Sequence, residues 1–198
     1  MAPSTSSVRL MRVVVVLLLL FPVLLKANEA PPFSVKAQLI LAACKSVGEG
    51  STYFNVQFCE GAIGSVIGGS ADLDYQVFGG IAVRLLAENA TSTKAKIDRL
   101  LRGGGGVKLK AEDDVAVARC LQSCQSLYGG ILYDWLACTA AVKTRLFGEA
   151  RRILEKAAAA AKECEDGFGK NNVASPLSAE DDDAFKLAKL GVAFLRLA

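Results

Sequence analysis

The stretch from Cys124 to Cys164, CQSLYGGILYDWLACTAAVKTRLFGEARRILEKAAAAAKEC, constrains the fold more than any other part of the chain. Apolar residues recur at helical spacing on both sides of Lys143–Leu146 and lapse at it, the pattern of a helical hairpin. Cys124 stands about as far before that turn as Cys164 stands after it. Antiparallel helices about 8–10 Å apart bring two such sulfurs to one level, where a disulfide can clamp them. The buried stripe of the first helix is expected at Val117, Cys120, Cys124, Leu127, Ile131, Cys138 and Val142. The facing stripe is expected at Phe147, Ala150, Ile153, Leu154, Ala157, Ala161 and Cys164. Gly129-Gly130 interrupts the first helix at a cost of about 1 kcal/mol per glycine, which predicts close packing or a bend there.

A clamp of this kind needs an oxidising compartment, and the N-terminus predicts one. Arg9 and Arg12 precede the apolar run Val13–Leu25, and the small residues Ala27 and Ala30 follow it. Basic, apolar, then small is the layout of a secretory signal peptide, so residues 1–30 read as a leader cleaved near 27–30. The run is shorter than the roughly 20 residues of a membrane span, and Pro22 interrupts it. The mature part, 31–198, is one domain's length and holds all six cysteines, which in a secreted chain favours disulfides over metal ligands. The chain has no histidine, which removes Ser-His-Asp and Cys-His nucleophiles and most zinc sites. A net charge of +3, scattered along the chain, gives no footprint for nucleic acid. No cofactor and no metal are expected.

The remaining segments also read as helices. Val35, Leu39, Ala42, Ala43 and Val47 have helical spacing, and Gly48-Glu-Gly50-Ser51 breaks it. A short segment with Phe54, Phe58, Cys59 and Ile63 follows, so 35–63 forms a hairpin that a Cys44–Cys59 disulfide would close. After a small-residue connector, Gly64–Ser70, a bundle is expected over 70–198. Its first helix runs from about Leu73 to Leu101, with Val77, Ile81, Leu85, Thr93, Ile97, Leu100 and Leu101 buried. Asn89-Ala90-Thr91 within it is a glycosylation sequon, whose occupancy would need an exposed face. Gly103–Gly106 lacks the preceding strand and the Lys-Ser/Thr ending of a phosphate loop, and reads as a helix connection. Glu112, Asp113 and Asp114 suit a helix N-terminus. So does Glu180–Asp183, with Ser178 and Asp181 spaced as a capping box; no interleaved Ca²⁺ loop follows it. The last helix should bury Ala184, Leu187, Ala188, Gly191, Phe194, Leu195 and Ala198.

Geometry prunes the disulfide pairings. Cys120 and Cys138 lie roughly 27 Å apart along one helix and cannot pair within a chain. Cys120 competes with Cys124 for Cys164 from a poorer level. The expectation is therefore Cys44–Cys59 and Cys124–Cys164, with Cys120 and Cys138 as buried free thiols.

Taken in order, several short motifs make the chain similar to the plant invertase and pectin methylesterase inhibitors, in particular to their pollen-allergen branch. They are Cys44-Lys45, Tyr53 with Phe58-Cys59, Ala71-Asp72, Asn89–Thr93, Cys124 with Tyr128, Cys164 with Phe168, and Ser175–Ser178. The resemblance implies an all-α fold: an up-down-up-down four-helix bundle preceded by a disulfide-closed N-terminal helical hairpin. It implies the same two cysteine pairs. It also implies a protein that is not an enzyme, but blocks a secreted carbohydrate-active enzyme by covering its cleft.

The first expectation for the partner is a cell-wall pectin methylesterase, covered sterically by exposed polar side chains of the second and third bundle helices. The alternative is a cell-wall or vacuolar acid invertase. Invertase inhibitors of the family often carry Pro-Lys-Phe at the turn between those helices, where this chain has Arg145, Leu146 and Phe147. Phenylalanine matches, proline and lysine do not, and Arg145, Leu146 and Phe147 are the candidate contacts. An apoplastic monomer acting in complex with its target follows, free of the membrane once the leader is removed, with the vacuole as a second location. A different class, a secreted helical carrier of small molecules or lipids, lacks the usual eight cysteines, and the helix stripes are expected to hold enough bulk to fill a core. Catalysis by a carboxylate pair such as Glu165 and Asp166 has no cleft motif to support it.

Overall fold

A computed structural model describes residues 32–67, 73–103 and 111–198, with side chains from Val35 and from Val115 onward in the first and last of these. The leader, the connector residues 68–72 and the glycines after Gly103 fall outside the described residues, and the Glu112, Asp113 and Asp114 side chains are likewise not described. Six helices make up the described chain: α1 (Pro32–Gly48), α2 (Val56–Gly64), α3 (Tyr75–Leu101), α4 (Ala111–Lys143), α5 (Phe147–Lys170) and α6 (Ser178–Leu197). No strand occurs among the described residues. The chain divides between Leu39 and Ile40 into two compact units, and the second, Ile40–Ala198, holds the rest of α1 and all of α2–α6.

Local chemistry sets several helix ends. Asn55 caps α2 by accepting from the Phe58 N–H at 2.8 Å, and Asp74 caps α3 by accepting from Val77 at 2.7 Å. Gly103, at φ 79°, ends α3 in the left-handed region. In α3–α6 each helix packs on its chain neighbours, and α3 closes the ring against α6. This is the up-down-up-down bundle that short connections between antiparallel helices produce. The core runs along its axis through Leu86, Ile97, Leu121, Leu154, Phe168 and Leu195. A second cluster joins the α1–α2 end to the bundle through Phe54 and Ile63, set against Phe78 and Phe194. The last two rings lie 5.2 Å apart.

Several expected burial patterns are corrected. In α3 the buried line is Phe78, Gly79, Ala82, Val83, Leu86, Ala87 and Ala90, followed by Thr93 and Ile97 as expected, while Val77, Ile81, Leu85, Leu100 and Leu101 are only half-buried. The contact line with α6 is built from small residues. A Cβ on Gly79 would stand 2.7 Å from Leu195 Cγ, and one on Gly191 3.5 Å from Ala82 Cβ. Bulky aliphatics are displaced to the flanks. In α4, Leu121, Tyr128 and Ala141 are buried and Val117 and Leu127 are half-buried. Gly129 and Gly130 face no close neighbour, so of the close packing or bend expected there the close packing does not occur. In α1 the buried line is Ile40, Ala43 and Cys44, as alignment with Cys59 requires; Ala42 is exposed, as is Ala198 at the chain end. The capping box does not form. Helix α6 starts at Ser178 itself, whose hydroxyl donates to Glu165 Oε1 at 2.7 Å, and Asp181 is turned into the core.

Candidate target-binding surface

Both halves of the fold are stapled. Cys44 and Cys59 are bonded across the α1–α2 end, with Cα atoms 5.6 Å apart. Cys124 and Cys164 are bonded across α4 and α5, with Cα atoms 4.9 Å apart. Cys120 and Cys138 are free and buried. The Cys120 sulfur lies 3.5 Å from Gly167 O and accepts from Asn171 Nδ2, while Cys138 faces Ala150 O at 3.7 Å. Burial pushes the Cys138 thiol up to about 12, with Asp134 and Glu149 adding to the shift, so it stays protonated and unreactive at physiological pH.

Behind the staple sits a buried polar pair whose partnership no sequence motif announces. Tyr128, one turn past Cys124, is fully buried and donates to Asp181 Oδ1 at 2.6 Å. Burial pushes Asp181 up to about 7; the Tyr128 bond opposes that shift, and the Glu165 and Glu180 carboxylates reinforce it. Burial also raises Tyr128 well above the ordinary tyrosine range. Asp181 Oδ2, Glu165 Oε2 and Glu180 Oε2 are buried without a hydrogen-bond partner. A proton on Asp181 supplies the missing donor toward Glu165. Glu165 and Asp166 therefore do not act as a pair: Glu165 anchors α6 through Ser178, and Asp166 pairs with Lys162 at 3.0 Å.

At the opposite end of the α4–α5 hairpin, Arg145 adopts φ 59° and makes a turn usually left to glycine. The Leu146 N–H bonds to Ala141 O at 2.8 Å and the Arg145 N–H to Val142 O at 3.2 Å, satisfying two of the last α4 carbonyls. The three turn candidates thus separate. Arg145 is exposed, Leu146 projects with 60 % of its surface exposed, and Phe147 begins α5 half-buried and packed on the core. Asn89 is half-buried within α3, and its Nδ2, the atom a glycan would occupy, donates to Glu180 O at 3.3 Å.

Between staple and turn, the outer side of α4 is apolar where solvent-facing polar residues are expected. Tyr133 is 85 % and Leu136 69 % exposed, beside exposed Ala137 and Ala140. A helix stretch that is apolar nearly all round, Ile131-Leu-Tyr-Asp-Trp-Leu-Ala137, signals this in the sequence, since one buried stripe needs only half of those side chains. Contiguous exposed apolar side chains of this kind mark interaction surfaces. Among the described residues no cluster of three or more metal-ligating side chains occurs, and no helix is long and apolar enough to cross a membrane.

Two staples, a closed bundle and an apolar outer helix face define a small disulfide-clamped helical protein. A family model described as "Plant invertase/pectin methylesterase inhibitor" matches residues 38–193, and the chain belongs to that family. It is 26 % identical over 166 residues to a protein of Platanus orientalis named "Putative invertase inhibitor", covering 83 % of this chain and 92 % of the relative. A protein of the same name from Platanus acerifolia is 26 % identical over 164 residues, covering 82 % and 87 %.

Proposed function

We propose that this protein is a secreted inhibitor of a cell-wall pectin methylesterase, acting by docking the flank of α4 into the enzyme's cleft. Family membership supports an inhibitor of pectin methylesterase or invertase, and not an enzyme, as the general role. The observation that carries the finer reading is the exposed Tyr133–Leu136 face, which lies on the side of the hairpin and not at its tip. Aromatic and aliphatic anchors held on a rigid helix dock with little loss of side-chain freedom. Secretion through the 1–30 leader agrees with the two disulfides. Invertase is the second reading, favoured by the names of the two Platanus relatives and by the projecting Leu146. Against a tip-first mode, Phe147 packs on the core.

Adding the purified protein to a pectin methylesterase and to an acid invertase in parallel, at acidic apoplastic pH, separates the readings. The expected result is inhibition of the esterase, weakened at least about tenfold by Leu136→Asp, as truncation or charging of an interface anchor does. The variant should keep its thermal stability, because Leu136 is exposed and outside the core. Inhibition of invertase alone, abolished by Leu146→Asp, would replace the first reading with the second. Inhibition of neither enzyme refutes both.

A further inference from the structure

Under the outer face of α4 lies space that no side chain fills. A cavity of about 230 Å³ is walled by α3, α4 and α5. Small residues leave it open: Ala87 on α3, Gly130 on α4, and Ala157 and Ala160 on α5. A Cβ at Gly130 would meet nothing within 4 Å. The inner walls are apolar, formed by Val83, Leu86, Ile131, Ile153 and Leu154. At the rim stand Trp135, the chain's single tryptophan, and Asp134, whose Oδ2 accepts from Lys156 at 2.7 Å. Among the described residues, Lys156 is the one donor to this carboxylate, and Oδ1 is left open.

We propose that this cavity binds a small planar aromatic molecule of one or two rings that carries a hydroxyl or N–H group. Size sets the upper limit: an apolar cavity of about 150 Å³ admits benzene, so this one accommodates a fused pair of rings. The walls exclude sugars and zwitterions, whose hydroxyls and charges would lose water without finding partners. The polar lining side chains are few, Ser126, Asp134 and Lys156, and Asp134 Oδ1 can accept from the ligand's donor while Trp135 packs against its ring. Cys138 also lines the cavity, and as a protonated thiol it forms no adduct, so binding is reversible.

Trp135 makes the test direct, because a chain with one tryptophan gives one indole N–H resonance. Titration of the ¹⁵N-labelled, disulfide-intact protein with 2-naphthol should shift that resonance saturably, with matching heats in calorimetry. Gly130→Leu, which places a side chain in the empty space, should weaken binding at least about tenfold. Ala160→Leu fills the cavity from α5 and serves if the first variant does not fold, as judged by helical circular dichroism. Naphthalene, which lacks the donor, should bind more weakly than 2-naphthol to the native chain and equally to Asp134→Ala. Absence of saturable 2-naphthol binding, or undiminished binding by the filled variants, overturns the site. Equal binding of naphthalene and 2-naphthol by the native chain overturns the rim assignment.

Discussion

The buried Asp181 makes stability fall as pH rises, the reverse of the usual carboxylate. Its folded-state value is raised from 3.8 to about 7, so between those values the folded protein holds a proton that the unfolded chain has released. Stability from this group is fully present below the unfolded value and is lost as pH rises through the folded one. The groups around it are mostly alike in sign. Glu165 on α5 and Glu180 on its own helix both disfavour its charge, while the Tyr128 hydroxyl on α4 favours it but is outweighed by burial. Lys96 on α3 is committed to Glu180 at 2.6 Å. A tenfold change in proton affinity is worth about 1.4 kcal/mol, so integrating the linkage from pH 5 to pH 8 gives a loss on the order of 2–3 kcal/mol. In a chain of this length that lowers Tm by about 5–10 °C. The absence of histidine keeps the window free of imidazole titration. Chemical denaturation of the disulfide-intact protein at pH 5 and pH 8 should show this loss. Asp181→Asn, whose amide accepts from Tyr128 and donates toward Glu165 at every pH, should flatten it. Stability that is flat or rising from pH 5 to 8 in the native chain, or a slope unchanged in Asp181→Asn, refutes the reasoning.

The two staples should differ in worth. Loop-closure entropy gives about 4 kcal/mol for Cys124–Cys164, which spans 40 residues, and about 3 kcal/mol for Cys44–Cys59, which spans 15. Denaturation of the two double Cys→Ala variants checks the order, and a costlier loss of Cys44–Cys59 contradicts it. Glycines should divide by their surroundings: Gly79→Ala drives a methyl into Leu195 and should cost about 1–3 kcal/mol, while Gly130→Ala, facing empty space, should gain about 1 kcal/mol in helix propensity. Equal melting temperatures of these two variants would remove the contrast. Asn89 should leave a secretory host unmodified, because a glycan on Nδ2 would displace its bond to Glu180 O. A mass loss on treatment with an amidase that removes N-glycans would contradict this.

The parts of the fold that are legible in the sequence are those where one residue type has few physical options. Cysteines equidistant from a helix break have one sensible partner, and the break at Lys143–Leu146 is where α4 ends and α5 begins. The phase of α3 is not legible, because hydrophobic spacing weighs Val77, Ile81 and Leu85 above glycine and alanine. Close helix packing selects the small residues instead, as Gly79 and Gly191 show. Asp181 is easily misread for a related reason. An acidic residue in the first turn suits the helix dipole wherever it points, and only the opposing Tyr128 hydroxyl decides that it points inward. The candidate face is hidden by the rule that apolar means buried, which Tyr133 and Leu136 violate.

Placement of the staple explains why an exposed apolar face is tolerable on so small a protein. Tyr133 lies nine residues past Cys124, roughly 14 Å along the helix. The α4–α5 hairpin is therefore fixed on one side of the face by the disulfide and on the other by the hydrogen-bonded Arg145 turn. Between those anchors α5 contributes Ile153 and Leu154 on the turn side but only Ala157, Ala158 and Ala161 on the side nearer the disulfide, so that second part has little bulky packing from α5. Without a covalent tie, that thin section would be the first to open, and Tyr133, Leu136 and the cavity beneath them would open with it. The clamp thus acts beside the alanine-lined part of the core, and it holds in place the face proposed to dock.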